Sequence, residues 1–449
     1  MKPATTIVEL YQNLSPSKFL TPDRDKDQYV DLYGEKLGDI KFSLLSSGDS
    51  NQTVYASGQS GTGKSTALFF LPDNEIQENF HFLYINGNDL LDLSDVDIAD
   101  LLLVLCYALI KSSDSLQSKF EKQLERIKAT AEERLKIEST YDQSLNFNTG
   151  ATAKAEIGNS LSLAGAIVRF FTSFKGSMEG FMSIKYDNNH RKTIREAFVI
   201  INRDLLELTN KIIVDYCEEK GGDKELLIIF NDLDNIKNDK QIEALFIQNR
   251  YFIEGLKCRK VVSIPAYLST RPDFNADIFS FDLKLDHNPL LRERKPKIDN
   301  LIARNKQLLH QIIKKRMSES VNLIDDDAID YAIKMSGGIV RQFIAILHNA
   351  AAKAGKLKLS KISLEDAKDG ASDYRRILER SIMSKSQLDM LDYIRLHHKP
   401  DVPDNNAFIT ALLGNQVIVC ENDPRWYDIN PLIENSVKIW KQSDDNQSS

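Results

Sequence analysis

Eight consecutive residues, Gly58-Gln59-Ser60-Gly61-Thr62-Gly63-Lys64-Ser65, fit the spacing G-x-x-x-x-G-K-[S/T]. The chemistry such a run supports is the cradling of a phosphate chain. Glycines let the backbone turn tightly, so that successive N–H groups point inward at one anion. Lys64 reaches the β/γ oxygens as a point charge, and the Ser65 hydroxyl is placed to sit on Mg²⁺. The flanks agree. Gln52 to Ala56 reads as a short strand, and Thr66 to Leu71 as an apolar helix whose N-terminus adds partial positive charge. At this glycine usage a chance match has odds of about one in a hundred.

A second candidate site lies far along the chain. Glu225-Leu226-Leu227-Ile228-Ile229-Phe230-Asn231-Asp232-Leu233-Asp234 is an apolar strand that ends in a polar, acidic cluster. Carboxylates in that position suit a cation and an attacking water at a phosphate. Two further segments carry polar groups at their ends. Val261 to Leu268 is apolar and runs into Ser269-Thr270-Arg271, although Pro265 argues against an ordinary interior strand. Ser336-Gly337-Gly338 breaks a helical pattern before Ile339-Val340-Arg341.

Elements must hold these groups. Phe80 to Asn86 reads as a buried strand, followed by a helix over Ser94 to Leu101 capped by Ser94 or Asp95. Phe279 to Leu285 alternates with period two and reads as a last strand. From Ile298 to Met317 the apolar period is helical. Strands alternating with helices predict an α/β fold with a parallel sheet and ligands at the strands' carboxyl ends.

The order of P-loop, N-D-L-D strand end, S-T-R strand end and S-G-G-x-x-R resembles the AAA+/STAND branch of P-loop ATPases. Origin-recognition-like and KAP-like relatives are the nearest in pattern, over about residues 30 to 110 and 195 to 350. The resemblance implies ATP and Mg²⁺ as cofactors, with Gly58, Gln59, Ser60, Gly61, Thr62, Gly63, Lys64, Ser65 and Thr66 around the nucleotide. It also implies that the strand ending at Ser269-Thr270-Arg271 acts as sensor 1, and that a helical lid returns Arg341 to the nucleotide as sensor 2. Relatives usually carry Asp-Asp or Asp-Glu after the acidic strand, where this chain has Asn231-Asp232. Either Asn231 takes the Mg²⁺-side position beside Ser65, or Asp232 does. Asp232 and Asp234 are alternatives for the base that polarises water. Relatives often complete the γ-phosphate site with a neighbour's arginine, for which Arg250 and Arg271 are the candidates. Prokaryotic relatives often belong to anti-phage defence.

The bulk properties leave room for this. A chain of 449 residues accommodates two or three domains. A net charge of −7 excludes the global basic field of a dedicated nucleic-acid binder. Cys106, Cys217, Cys258 and Cys420 are scattered and read as buried thiols, not zinc ligands or disulfides. The N-terminus lacks a signal-peptide core, and the longest apolar runs are too short to span a bilayer, so a cytoplasmic protein with no membrane role is expected.

The domain expectation is a P-loop ATPase domain over 1–290 with an insertion at about 111–195, a helical lid over 291–380 and a winged-helix-like domain over 381–449 with a disordered tail. Within the insertion, Leu116 to Ser139 reads as a charged helix and Asp142 to Asn188 as glycine-jointed hairpins. That region is either a subdomain covering the sheet edge or a contact loop using Arg169, Lys175, Lys185 and its phenylalanines. In the last domain, helices at Ser386–His397 and Ala407–Leu413 precede strands at Gly414–Cys420 and Arg425–Ile429 and a helix at Pro431–Trp440. The functional expectation is an ATP-dependent switch or remodelling subunit, homo-oligomeric and acting with a partner protein. The alternatives are a DNA-loading or DNA-remodelling motor and a slowly hydrolysing, nucleotide-stabilised scaffold.

Overall fold

The computed structural model describes residues 2–18, 20–111, part of 115–126, 188–221, 223–236, 238–275, 280–283, 296–382, 384–399, 405–420 and 426–448. The expected hairpins of the insertion, with Arg169, Lys175 and Lys185, and the turn at 421–424 lie outside these residues. In chain order the elements that matter here are α1 (Ile7–Asn13), α2 (Gly34–Ser46), β1 (Thr53–Gly58), α3 (Lys64–Phe69), β2 (Phe80–Asn86), α4 (Ile98–Ile110) and α5 (Asn188–Lys220). They continue with β3 (Glu225–Asn231), β4 (Arg259–Pro265), β5 (Ser280–Asp282), α6 (Pro296–Lys314), α7 (Asp326–Met335) and α8 (Val340–Lys356). The last are α9 (Leu364–Glu379), α10 (Lys385–His397), α11 (Asn405–Leu413), β6 (Val417–Cys420), β7 (Trp426–Ile429) and α12 (Glu434–Ser448).

The chain divides into two compact units. One comprises Met1–Ser43, Val54–Asp73 and Ser263–Ser449; the other comprises Leu44–Thr53 and Asn74–Val262. In the second unit β2, β3 and β4 are parallel neighbours, with Phe80 to Asn86 paired in register with Glu225 to Asn231. A parallel strand covered on both faces reads as an unbroken apolar run, and Leu226 to Phe230 are all buried. The adjoining helix α4 starts at Ile98, later than the Ser94 or Asp95 cap predicts. Asp97 and Asp100 form a reciprocal capping box there, which satisfies orphan N–H groups that a start at Ser94 would leave open. Lys260 on β4 is fully buried, and its ammonium donates to the carbonyls of Asn51, Leu256 and Cys258 at 2.8, 2.9 and 2.9 Å. Burial pushes its pKa down, and the three acceptors are what make a charge tolerable there.

In the first unit β1 pairs in parallel with β5, with Tyr55 opposite Ser280 and Ser57 opposite Asp282. Strand β5 spans only Ser280–Asp282, shorter than its alternating sequence predicts. Pro265 is the last residue of β4, so its missing N–H falls at the strand end. Helices α7, α8 and α9 pack together, and Gly370 of α9 makes this possible. A Cβ there would collide with the Ile346 carbonyl and lie 2.9 Å from the Ala350 nitrogen of α8. Helix α1 packs on α8, where Tyr11 stacks on His348 with ring centroids 4.1 Å apart. The chain then runs helix, helix, two-stranded antiparallel hairpin, helix, with Val417 opposite Ile429 and Cys420 opposite Trp426. The final helix continues to Ser448, through the residues expected to form a disordered tail; no proline or glycine interrupts it.

Candidate functional site

The glycine-rich loop follows β1 and leads directly into α3. Gly61 and Gly63 hold φ of 89° and 102°, a left-handed region that only glycine enters at little cost. Gly58 serves a different need, since a Cβ there would lie 2.6 Å from the Leu283 carbonyl. Lys64 is buried and its ammonium donates to the carbonyls of Gly58 and Gln59 at 2.7 and 2.9 Å, closing the loop on itself. The Thr62 hydroxyl lies within hydrogen-bond distance of the Gln59 and Leu283 carbonyls, at 3.0 and 3.1 Å. From the N-terminal segment, the Tyr33 hydroxyl donates to the Thr62 carbonyl at 2.6 Å. The loop is thus shaped from inside and outside at once. That shape suits a polyphosphate, with a lysine at its centre and Ser65 in the first turn of α3.

Arg341 comes to the same loop. Its backbone N–H donates to the Gly61 carbonyl at 2.8 Å, and its guanidinium reaches the Ser60 hydroxyl at 3.4 Å. The approach needs glycine at 61, because a Cβ there would lie 2.9 Å from Arg341 Cβ and 3.1 Å from Ile339 Cγ2. The Gly337-Gly338 break makes the turn before α8, with φ of 58° and 82°.

The acidic end of β3 belongs to the second unit. Asn231, Asp232 and Asp234 are all buried. Asp232 adopts a left-handed φ of 65°, unusual for a residue with a Cβ. Asn88 donates to its carboxylate at 2.6 Å, and Asn86 anchors that turn by accepting from the Asn88 N–H at 3.2 Å. A Cβ at Gly87 would lie 3.0 Å from the Asn231 carbonyl, so glycine allows the turn to come this close. Tyr84 of β2 completes the cluster. Burial raises its hydroxyl pKa first, and the Asp232 and Asp234 carboxylates raise it further. The Asn231 carboxamide sits beside that hydroxyl without reaching hydrogen-bond geometry, and neither its oxygen nor its nitrogen has a partner among the described residues. An orphaned amide oxygen between carboxylates is the kind of oxygen donor set that suits a hard divalent cation. Among the described residues no group of three or more His, Cys, Asp or Glu could hold a metal ion by itself.

The structure therefore gathers Gly58 to Thr66 with Arg341 in one unit, and Asn231, Asp232 and Asp234 in the other. The candidate trans arginines have local partners. Arg250 pairs with Glu254 at 3.2 Å, and Arg271 donates to Asp273 at 2.9 and 2.5 Å and to the Tyr267 hydroxyl at 3.1 Å. Cys106, Cys258 and Cys420 are buried, Cys217 is half-buried, and all four are free thiols. Sequence reasoning missed Tyr84 and Asn88. The only local signal was Asn86-Gly87-Asn88-Asp89, a turn sequence directly after a strand.

No family model matches the chain, and no curated protein matches it. Among solved structures, the Aeropyrum pernix ORC2 protein in ADPNP–ADP complexes is 12% identical over 96% of this chain and 98% of that one, with a TM-score of 0.43. The Walker-type ATPase paby2304 of Pyrococcus abyssi is 12% identical over 95% and 99%, with a TM-score of 0.45. Cdc6p from Pyrobaculum aerophilum is 12% identical over 96% and 98%, with a TM-score of 0.39. No helix among the described residues is long and apolar enough to cross a membrane. At these identities and scores the likeness goes no further than α/β chains of similar extent, and the site rests on its own geometry.

Proposed function

We propose that this chain binds ATP with Mg²⁺ at the Gly58–Thr66 loop and acts as a slow ATP-dependent switch of the AAA+/STAND type. The observation that carries the reading is the loop itself, closed by the Lys64 ammonium and held from the lid by the Arg341 N–H at 2.8 Å. In this reading Arg341 senses the nucleotide, Asp232 or Asp234 polarises the attacking water, and the lid's position reports the nucleotide state to a partner protein. Association between copies of the chain belongs to the same reading. A nucleotide-stabilised scaffold is the second reading, favoured by Asn231, whose amide brings no negative charge to a metal.

The test is an ATPase assay on the purified protein with and without DNA, with mass measured in each nucleotide state. Turnover that DNA leaves unchanged, with a mass that follows the nucleotide, supports the switch. Tight ATP retention without turnover supports the scaffold. Strong stimulation by DNA sinks both and leaves a DNA motor, and absence of ATP binding overturns the site.

A further inference from the structure

The second position of the nucleotide loop is committed to the C-terminal hairpin. The Gln59 side chain donates from Nε2 to the Val417 carbonyl at 2.7 Å, and its Oε1 accepts from the Val419 N–H at 3.1 Å. The carbonyl of one strand residue and the N–H of the residue two further on face the same side of a strand. One carboxamide therefore stands where the peptide group of a neighbouring strand would, and it covers the edge of β6 that β7 does not use. Only a neutral amide does both jobs, because a carboxylate has no proton to give to Val417.

Neighbouring loop positions are engaged from the same side. Asn415, in a left-handed conformation at φ 58°, donates to the Ser60 carbonyl at 3.0 Å. Ile339, which lies against Gly61, packs with Ile418 and Cys420, and Trp426 covers that cluster. Glycine at 337 leaves the room, since a Cβ there would collide with Ile418 Cδ1 and lie 3.1 Å from Pro431 Cδ. Gln59, Ser60 and Gly61 are positions where the phosphate-loop spacing allows any residue or a small one. Here they form a docking face for a hairpin more than 350 residues away in sequence.

We propose that Gln59 is a positioning residue through which the β6–β7 hairpin sets the shape of the nucleotide loop, so that ATP binding and the seating of the hairpin are thermodynamically linked. The proposal rests on the nucleotide-binding reading above. Linkage is reciprocal: if the seated hairpin favours the ATP-binding loop, ATP favours the seated hairpin by the same factor. The hairpin is then the element that reads the nucleotide state.

The experiment follows amide hydrogen exchange in residues 416–420 of the full chain, with and without ATP and Mg²⁺, alongside titration with a fluorescent ATP analogue. In the wild type, ATP slows exchange at Val419. Gln59→Glu keeps the size of the side chain but sets a carboxylate against the Val417 carbonyl. It should weaken ATP binding about 3- to 10-fold and abolish the exchange response. Both defects should recover at about pH 5 relative to about pH 8, because the protonated carboxyl regains a donor. A merely structural defect would show no such recovery. Asn415→Ala, which leaves Gln59 intact, should reduce the response without introducing a pH dependence. ATP binding with β6 exchange unaltered in the wild type overturns the linkage alone, as does a Gln59→Glu variant that binds and responds like the wild type. Absence of ATP binding by the wild type overturns the nucleotide reading and the linkage with it.

Discussion

The glycine-rich loop and the acidic end of β3 are built on opposite terms. In the loop the polar groups have partners supplied by the protein. Lys64 spans two carbonyls, Tyr33 bonds to Thr62, Arg341 to Gly61 and Gln59 to β6. At the end of β3 a buried amide has none, and its neighbour Asp232 holds a strained left-handed conformation under the grip of Asn88. A buried polar group without a partner costs about 1–3 kcal/mol, and a strained non-glycine residue adds about as much. The loop is settled before any ligand arrives, whereas the acidic end is left unsatisfied in a way that a ligand could relieve.

That contrast breaks first at Asp232. Asp232→Asn should leave ATP affinity within about 2-fold of wild type but lower hydrolysis by about 100-fold or more, the range expected on losing a general base. Single-turnover hydrolysis and nucleotide titration measure the two halves separately. Wild-type turnover would move the role to Asp234. Lys64→Ala attacks the settled side. It should weaken ATP binding about 10- to 100-fold, the value of a charge-assisted contact to phosphate. Its melting temperature should also fall, since Lys64 ties the loop's own carbonyls even without a nucleotide. Unchanged affinity in this variant would remove the site assignment.

The settled side was also the more legible in sequence. The loop is a local pattern of glycines and one lysine, and β2 and β3 are contiguous apolar runs, so each element could be placed without knowing its neighbours. The Ser336-Gly337-Gly338 break before Arg341 was visible for the same reason. What stayed hidden depends on contacts between distant residues. Nothing around Gln59 indicates that its amide will serve Val417 and Val419, and nothing around Asn88 indicates that it will hold Asp232. Tyr84 reads as one more strand aromatic. The start of α4 shows the limit on a smaller scale. Ser94, Asp95 and Asp97 are all good caps, and the choice falls to Asp97 because Asp100 lies three residues on to close the box.

A third test asks whether the loop is settled because the lid holds it. Gly370→Ala places a methyl against the α8 backbone at Ile346 and Ala350, where no side chain can move aside. The helices must separate, at a cost of about 1–3 kcal/mol. Thermal unfolding should show the loss, and ATP affinity should fall a few-fold as Arg341 is displaced from Gly61 with the rest of α8. A destabilised variant with full ATP affinity would mean that the loop keeps its shape without the lid.

The smallest expected effect is the most discriminating, and it lies at Asn231. Asn231→Asp is isosteric and gives the acidic end a third carboxylate beside Asp232, Asp234 and the buried hydroxyl of Tyr84. A carboxylate holds Mg²⁺ more firmly than an amide oxygen, so basal turnover should rise a few-fold and its midpoint should move to lower Mg²⁺ concentration. Burial and like charge raise the pKa of the new carboxyl above its unfolded value of about 4. The folded variant then binds more protons than the unfolded one between those two pKa values, so its stability falls as pH rises through that window. Wild type, with a neutral amide, lacks this slope. Added Mg²⁺ should restore stability at neutral pH by binding the folded form alone. Thermal melts at about pH 4 and about pH 7, with and without Mg²⁺, read this directly, and single-turnover rates read the catalytic half. A variant with wild-type rates, wild-type metal midpoint and no Mg²⁺-dependent rescue would place Asn231 outside any metal site. Its unpartnered amide would then be a structural cost with no ligand to relieve it.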